Sequence, residues 1–398
     1  MDFKFILEAK VEIKIENCNF QTITFAFLKS LQKYFEQFIT ELLLQYFAHI
    51  CQNGDILKII GIQNFQKKST SNLTKFKTIF GDINVPQIQI RTRDKDGKIH
   101  QISITRTLLG VGKKYQIPDF MQKILGFIGS LTTYRVGYKI VGLLTNFKCS
   151  LMSVWKSVQR SAKKIVLDLS PDGTNEFQAD GTGIQTHNTG KRGSELKKVF
   201  QVKKDGKLHL VGIEIGSYKD INNWLSALSA PIKSGLARFK KIILASDGDK
   251  SITETAKSIS KDVKIQKDLW HVFHQLKYYL WQDKVPKEVR SNIIKLVFKV
   301  TMVLTNFSSK KRLEILENIT NTLIINNYKH TATYLKSAMD GFYTYEIEGN
   351  TNLYTSKTER SMRTTNQRAN VGVWSEQGIL NVTKIRLAYY YNGISPSN

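Results

Sequence analysis

The chain has 398 residues, 41% hydrophobic and 23% charged, a composition that supports a full buried core and excludes an intrinsically disordered polymer. Lys and Arg total 59 against 33 Asp and Glu, and the resulting +26 points to a polyanion partner, with drift toward Lys (46 of the 59 basic residues) as the competing cause. No long uncharged apolar run occurs, acids interrupt the apolar N-terminal stretch, and Cys18, Cys51 and Cys149 form no CxxC pair. A membrane span, a signal peptide, a disulfide framework and a zinc knuckle are therefore not expected, and a reducing, cytoplasmic setting is.

Residues 1–75 read as an N-terminal strand and helix. Val11, Ile13 and Ile15 alternate with charged residues at strand period, and from Thr22 to Ile50 apolar residues recur at helical steps. Lys67 to Asn72 reads as a polar linker. Over 76–117 alternation on both sides of Asp94-Lys95-Asp96-Gly97 predicts a small antiparallel β element. Residues 118–170 turn helical: Pro118-Asp119 opens one helix, Tyr134 to Asn146 forms a second, and Ser150 caps a third. Two short helices across a tight turn, the second carrying Lys156, Arg160 and Lys163, outline a helix-turn-helix whose basic residues are candidates for DNA contact, although any helical hairpin gives that outline.

From 171 to 284 strands and helices alternate. Phe177-Gln178-Ala179-Asp180-Gly181-Thr182-Gly183-Ile184 carries one carboxylate where strands rarely tolerate it, which calls for either a turn or a ligand. A hairpin follows across Lys204-Asp205-Gly206-Lys207. The apolar run Lys241 to Ser246 then delivers a second carboxylate, Asp247, at its end. Hairpin-linked strands followed by helix-linked strands predict an α/β fold with a mixed sheet in the order of a ribonuclease H-like core, its first strand central and its fourth beside it. Asp268 and His271 stand one turn apart at the head of an aromatic and basic helix, where a structural hydrogen bond competes with a metal pair. In the same helix Trp270, Tyr278 and Trp281 are candidates either for base stacking or for core packing.

Residues 285–350 read as a helical insertion without an acid cluster. Residues 351–398 return to the core with Glu359 among Arg360, Arg363 and Arg368 on a helix, either as an ion-pair partner or as a third ligand, and with Glu376 as its rival.

Asp180-Gly181-Thr182, Ser246-Asp247-Gly248-Asp249, Asp268-x-x-His271, Glu359 with Arg368, and Trp374-Ser375-x-x-Gly378 together resemble bacterial insertion-sequence DDE transposases of the Mutator-like superfamily, within the group known as uncharacterised insertion-sequence proteins. The resemblance runs from about Phe76 to Asn392, and the acids stand 67 and 112 residues apart, room for a helical insertion. It implies Asp180, Asp247 and Glu359 as catalytic ligands of two Mg²⁺ or Mn²⁺ ions. It also implies that Asp268 and His271 hold or orient DNA near the cut, and double-stranded DNA (terminal inverted repeats and target) as partner of a homodimer or higher oligomer; Trp270, Arg363 and Arg368 are further candidates for DNA contact. The alternatives are a non-catalytic DNA-binding protein derived from a transposase and an RNase H-like nuclease that does not join strands.

Overall fold

The computed structural model describes residues 20–53, 66–68, 73–93, 96–109, 111, 117–187, 194–216, 242–259, 263–349 and 358–394. They fall into two compact units, one within residues 20–164 and the other within Ile165–Ile394. The expected strand at Val11–Ile15 lies outside the described residues.

The first unit begins with α1 (Phe20–Asn53), followed by β1 (Gln66–Lys68), β2 (Leu73–Thr78), β3 (Gly81–Pro86), β4 (Gln89–Arg93) and β5 (Ile99–Ser103). β2 and β3 form a hairpin, and β1-β4-β5 form a separate antiparallel sheet. Lys67 and Lys68 are therefore strand and not linker: their backbone adds to the edge of β4, with Lys67 opposite Ile90. Phe76, Ile83, Val85 and Ile90 bury the inner faces, and Ile39, Leu43 and Tyr46 of α1 pack on them.

A short α2 (Ile104–Leu108) leads to α3 (Asp119–Leu131), α4 (Tyr134–Leu144) and α5 (Leu151–Lys164). Thr133 caps α4 by accepting from Val136 N–H, and Ser150 Oγ accepts from Ser153 N–H at 3.2 Å to start α5, as its position predicts. The hairpin differs from expectation in one respect. α4 and α5 are joined by residues 145–150, longer than a helix-turn-helix turn, and α5 packs mainly on α3. Small residues permit that: a Cβ on Gly126 or Gly129 would collide with Ser161 or Val158 of α5.

The second unit is built on five strands, β6 (Gly173–Ile184), β7 (Ser194–Lys203), β8 (Leu208–Ile215), β9 (Ile242–Ser246) and β10 (Val263–Lys267), in the order β10-β9-β6-β7-β8. β6, β7 and β8 pair antiparallel, and β9 and β10 join parallel to β6, so the sheet is mixed as expected, with β6 central. Its continuous apolar runs are those of strands covered on both faces. One face carries Phe177, Val199, Leu244 and Ile252 of α6 (Lys250–Ile259). The other carries Leu196, Phe200 and Leu210 against Ile379 and Leu387.

After β10 come α7 (Leu269–Gln282), α8 (Lys287–Phe298) continuing into a π-helical turn, α9 (Ser309–Ile325), α10 (Lys329–Met339) and α11 (Thr344–Ile347), a helical layer with its own core around Leu276, Leu316 and Leu335. At its centre Arg312 is fully buried, pairs with Glu346 and lies 4.3 Å from the Tyr343 ring. α12 (Thr358–Ala369) then packs on β6, and α13 (Glu376–Asn392) on β8.

Candidate active site

Ala179 and Ser246 are the last paired positions of the parallel strands β6 and β9, and Asp180 and Asp247 are the residues that follow each. Neighbouring strands run about 4.8 Å apart, so the two carboxylates issue side by side from the sheet. Asp180 is 4% exposed, and its Oδ2 has no hydrogen-bond partner among the described residues. Asp247 is half-buried, and its Oδ1 accepts from Asp249 N–H at 2.9 Å.

Asp180 pairs in register with Lys198 of β7, which places the two side chains on one face of the sheet. Lys198 Nζ lies 3.8 Å from Asp180 Oδ2 and donates to Thr182 Oγ1 at 2.6 Å. Burial pushes the Asp180 carboxyl above its ordinary range, Lys198 and His271 pull it down, and Asp247 pushes it up again. Lys198, wholly buried, is lowered to about 8 by desolvation, with Asp180 opposing.

The third element of the site is the head of α7. Asp268 N–H donates to Ser246 O at 2.8 Å, which ties the helix start to the end of β9. The Asp268 carboxylate caps the helix by accepting from Trp270 N–H, and its other oxygen meets His271 Nδ1 at 3.1 Å. That hydrogen bond, helped by the charges of Asp268, Asp180 and Asp247 against burial, raises His271 to about 9. Asp268 and His271 thus share a face, as their spacing predicts.

Beneath the carboxylates a latch fixes the loop of Asp247. Asp249 Oδ1 accepts from Ser251 N–H at the start of α6, and its Oδ2 lies 3.2 Å from Lys197 Nζ. Lys197 also pairs with Glu195. Burial raises the Asp249 carboxyl, but the bonds from Ser251 and Lys197 outweigh it and hold the group below the usual range. Gly248 has φ +96, which an L side chain rarely adopts, so the turn between the two aspartates depends on glycine.

Glu359 falls in the first turn of α12, and its side chain lies outside the described residues. Glu376 stands in the first turn of α13 and accepts from Ser194 Oγ at 2.9 Å. Ser194 pairs with Ile184 and Lys198 with Asp180, four strand positions away, or roughly 13 Å, so Glu376 belongs to the far end of β6 and β7. Arg368 is 3% exposed and stacks 4.4 Å from the Trp374 ring, a core contact that withdraws it from DNA. Ser375 caps α13 by accepting from Gly378 N–H, and a Cβ on Gly378 would stand 2.7 Å from that hydroxyl. The Trp-Ser-x-x-Gly signature is therefore a helix start. Arg363 is exposed on α12, and Trp270 on α7.

In the first unit, Lys156 and Lys163 are exposed on α5, while Arg160 is turned inward and donates to Gln122 Oε1 at 3.2 Å. Lys197, Lys198 and Asp249 are site residues that the sequence reading did not assign. The signal for the lysines is two adjacent cations inside the apolar run Leu196 to Val202.

Among the described residues no group of three His, Cys, Asp or Glu side chains could hold a metal ion, and no helix is long and apolar enough to cross a membrane. No protein-family model matches the chain, and no curated protein matches it in sequence.

Proposed function

We propose that the second unit is an RNase H-like core and that the chain is a DDE transposase, cleaving and joining DNA strands with Asp180, Asp247 and Glu359 as its acids and two Mg²⁺ or Mn²⁺ ions as cofactor. The observation that carries the reading is the pair of carboxylates on adjacent parallel strands, one of them buried with an oxygen that has no hydrogen-bond partner among the described residues. A buried, unsatisfied carboxylate oxygen is costly and is the hard donor that a divalent cation takes, so the residues fit the group. The strand order β10-β9-β6-β7-β8, with the first acid on the central strand, and a helical layer between the second acid and Glu359 support the same reading.

When bound, the ions would supply the charge that stabilises the attacking and leaving oxygens of an in-line displacement at a phosphodiester. The protein's own residues do the rest. Asp180 and Asp247 are held at the neighbouring ends of β6 and β9, the first by the sheet and the second by the Asp249–Lys197 latch. His271, protonated at neutral pH, offers a cation beside them for a phosphate oxygen, and Asp268 fixes the ring. Lys198 balances the Asp180 charge from within the sheet. Water attacks first and frees a 3′-hydroxyl at the element end, and that hydroxyl then attacks target DNA.

The test is cleavage and joining of DNA carrying the element's own ends, comparing the intact chain with Glu359→Gln and Glu376→Gln. Loss of both steps in Glu359→Gln, with DNA binding kept and Glu376→Gln active, is the expected result. Binding without cutting by the intact chain would leave the non-catalytic DNA-binding reading, and cutting without joining the nuclease.

A further inference from the structure

α7 has two unlike faces. Leu269, Val272, Phe273, Leu276 and Leu280 are buried in the helical layer. On the other side Trp270 is 58% exposed, Tyr278 57% and Trp281 66%, with His274 and Lys277 exposed between them. At 100° per residue these five positions span a stripe about 100° wide, so they form one surface. Exposed tryptophans at both ends of a helical face leave apolar ring surface in water that burial would otherwise stabilise, which marks the face for a partner.

The spacing of the rings and the charge of the face identify the occupant. Trp270, His274, Tyr278 and Trp281 lie at i, i+4, i+8 and i+11, one ring about every 6 Å along the axis. Bases in a duplex stack every 3.4 Å and leave no gap, whereas a ring inserted between two bases separates them by roughly 7 Å. The ladder therefore matches bases already unstacked. Residues 269–282 contain no Asp or Glu, Lys277 lies within the stripe, and Lys284 is exposed just past its end, so the face complements a phosphate backbone. Its first ring directly precedes His271, which feels the charges of Asp180 and Asp247.

We propose that the outward face of α7 is a track for single-stranded DNA, holding about three or four unstacked nucleotides next to the Asp180–Asp247 site. It rests on the transposase reading only in taking DNA as the polymer. Strand binding to such a platform gains through stacking, which tolerates any base, and through the lysines, which respond to salt.

The experiment measures binding of a fluorescent oligothymidylate and of a duplex to the full chain in chelator, where nothing is cut. It compares the intact protein with Trp270→Ala/Trp281→Ala and with Trp270→Phe/Trp281→Phe. The alanine pair is expected to bind the oligothymidylate at least about tenfold more weakly with duplex affinity within about twofold, and the phenylalanine pair to recover most of the loss. Unchanged oligothymidylate affinity in the alanine pair would overturn the proposal, as would equal weakening for both polymers. So would a fall in oligomeric state by sedimentation with strand affinity intact, which would give the face to a second copy of the chain. Because no metal or cutting enters, the two readings fail separately: a chain that holds the strand here but never cuts loses the catalytic reading and keeps the track.

Discussion

His271 shows how one hydrogen bond can set the charge of a site. Its ring would titrate near 6.5 alone, and the Asp268 carboxylate, with the charges of Asp180 and Asp247, raises it to about 9. A folded value above the unfolded one contributes stability that is full below about 6.5 and is lost as pH rises through about 9. Asp268→Asn keeps a good helix cap but removes the charge. Urea unfolding should therefore find it less stable than the intact chain below pH 6.5, with the gap closing above pH 9. A gap that stays constant with pH would mean that His271 is not held as a cation by Asp268. Lys198 works at the same scale with the opposite cost. It is a buried ammonium lowered to about 8, and it offsets a carboxylate that would otherwise be alone among apolar strands. Nothing in sequence separates Lys197 from Lys198, because strand alternation sends neighbours to opposite faces and only the register with Asp180 and Gly181 says which lysine meets the carboxylate.

At the scale of elements, the loop between β9 and α6 joins the site to the sheet. Asp249 caps α6, binds Lys197 across the sheet and donates its N–H to Asp247. Asp249→Ala should lose about 1 kcal/mol for the cap and, in addition, the ion pair to Lys197, while Asp249→Asn keeps the cap and loses only the ion pair. Chemical denaturation should rank the intact chain above the Asn variant and that above Ala; an Ala variant as stable as the intact chain would remove the latch. The strands themselves were legible, because apolar runs closed by Asp-Gly turns leave few alternatives. β9 ends one residue before its acid, as expected, and the hairpin turns across 204–207. What sequence hid was contact between distant segments. The three-residue strand Gln66–Lys68 owes its place to backbone pairing with β4, which polar side chains do not advertise. Arg368 looked like a phosphate ligand by charge and proved to be a ring-stacked core residue, because its partner Trp374 packs back from beyond the helix end. Glu376 sat in a motif that suggested chemistry and turned out to hold Ser194 at the head of α13.

For the whole molecule, the two compact units divide the charge argument from the chemical one. The first carries exposed Lys156 and Lys163 on a helix that packs on α3; the second carries the carboxylates on a mixed five-stranded sheet. Net charge alone speaks only to polyanions in general, whereas two acids on adjacent strands, one buried with an oxygen that accepts no hydrogen bond among the described residues, speak to metal-assisted chemistry. The measurement that tests it most directly is Mn²⁺ binding to the full chain with duplex DNA present, followed by electron paramagnetic resonance, beside the Asp180→Asn and Asp247→Asn variants. The intact chain should take up Mn²⁺, and each variant should bind it at least about tenfold more weakly, since each loses a charged oxygen ligand. Equal Mn²⁺ uptake by the intact chain and both variants, with all three folded, would contradict the assignment of the site.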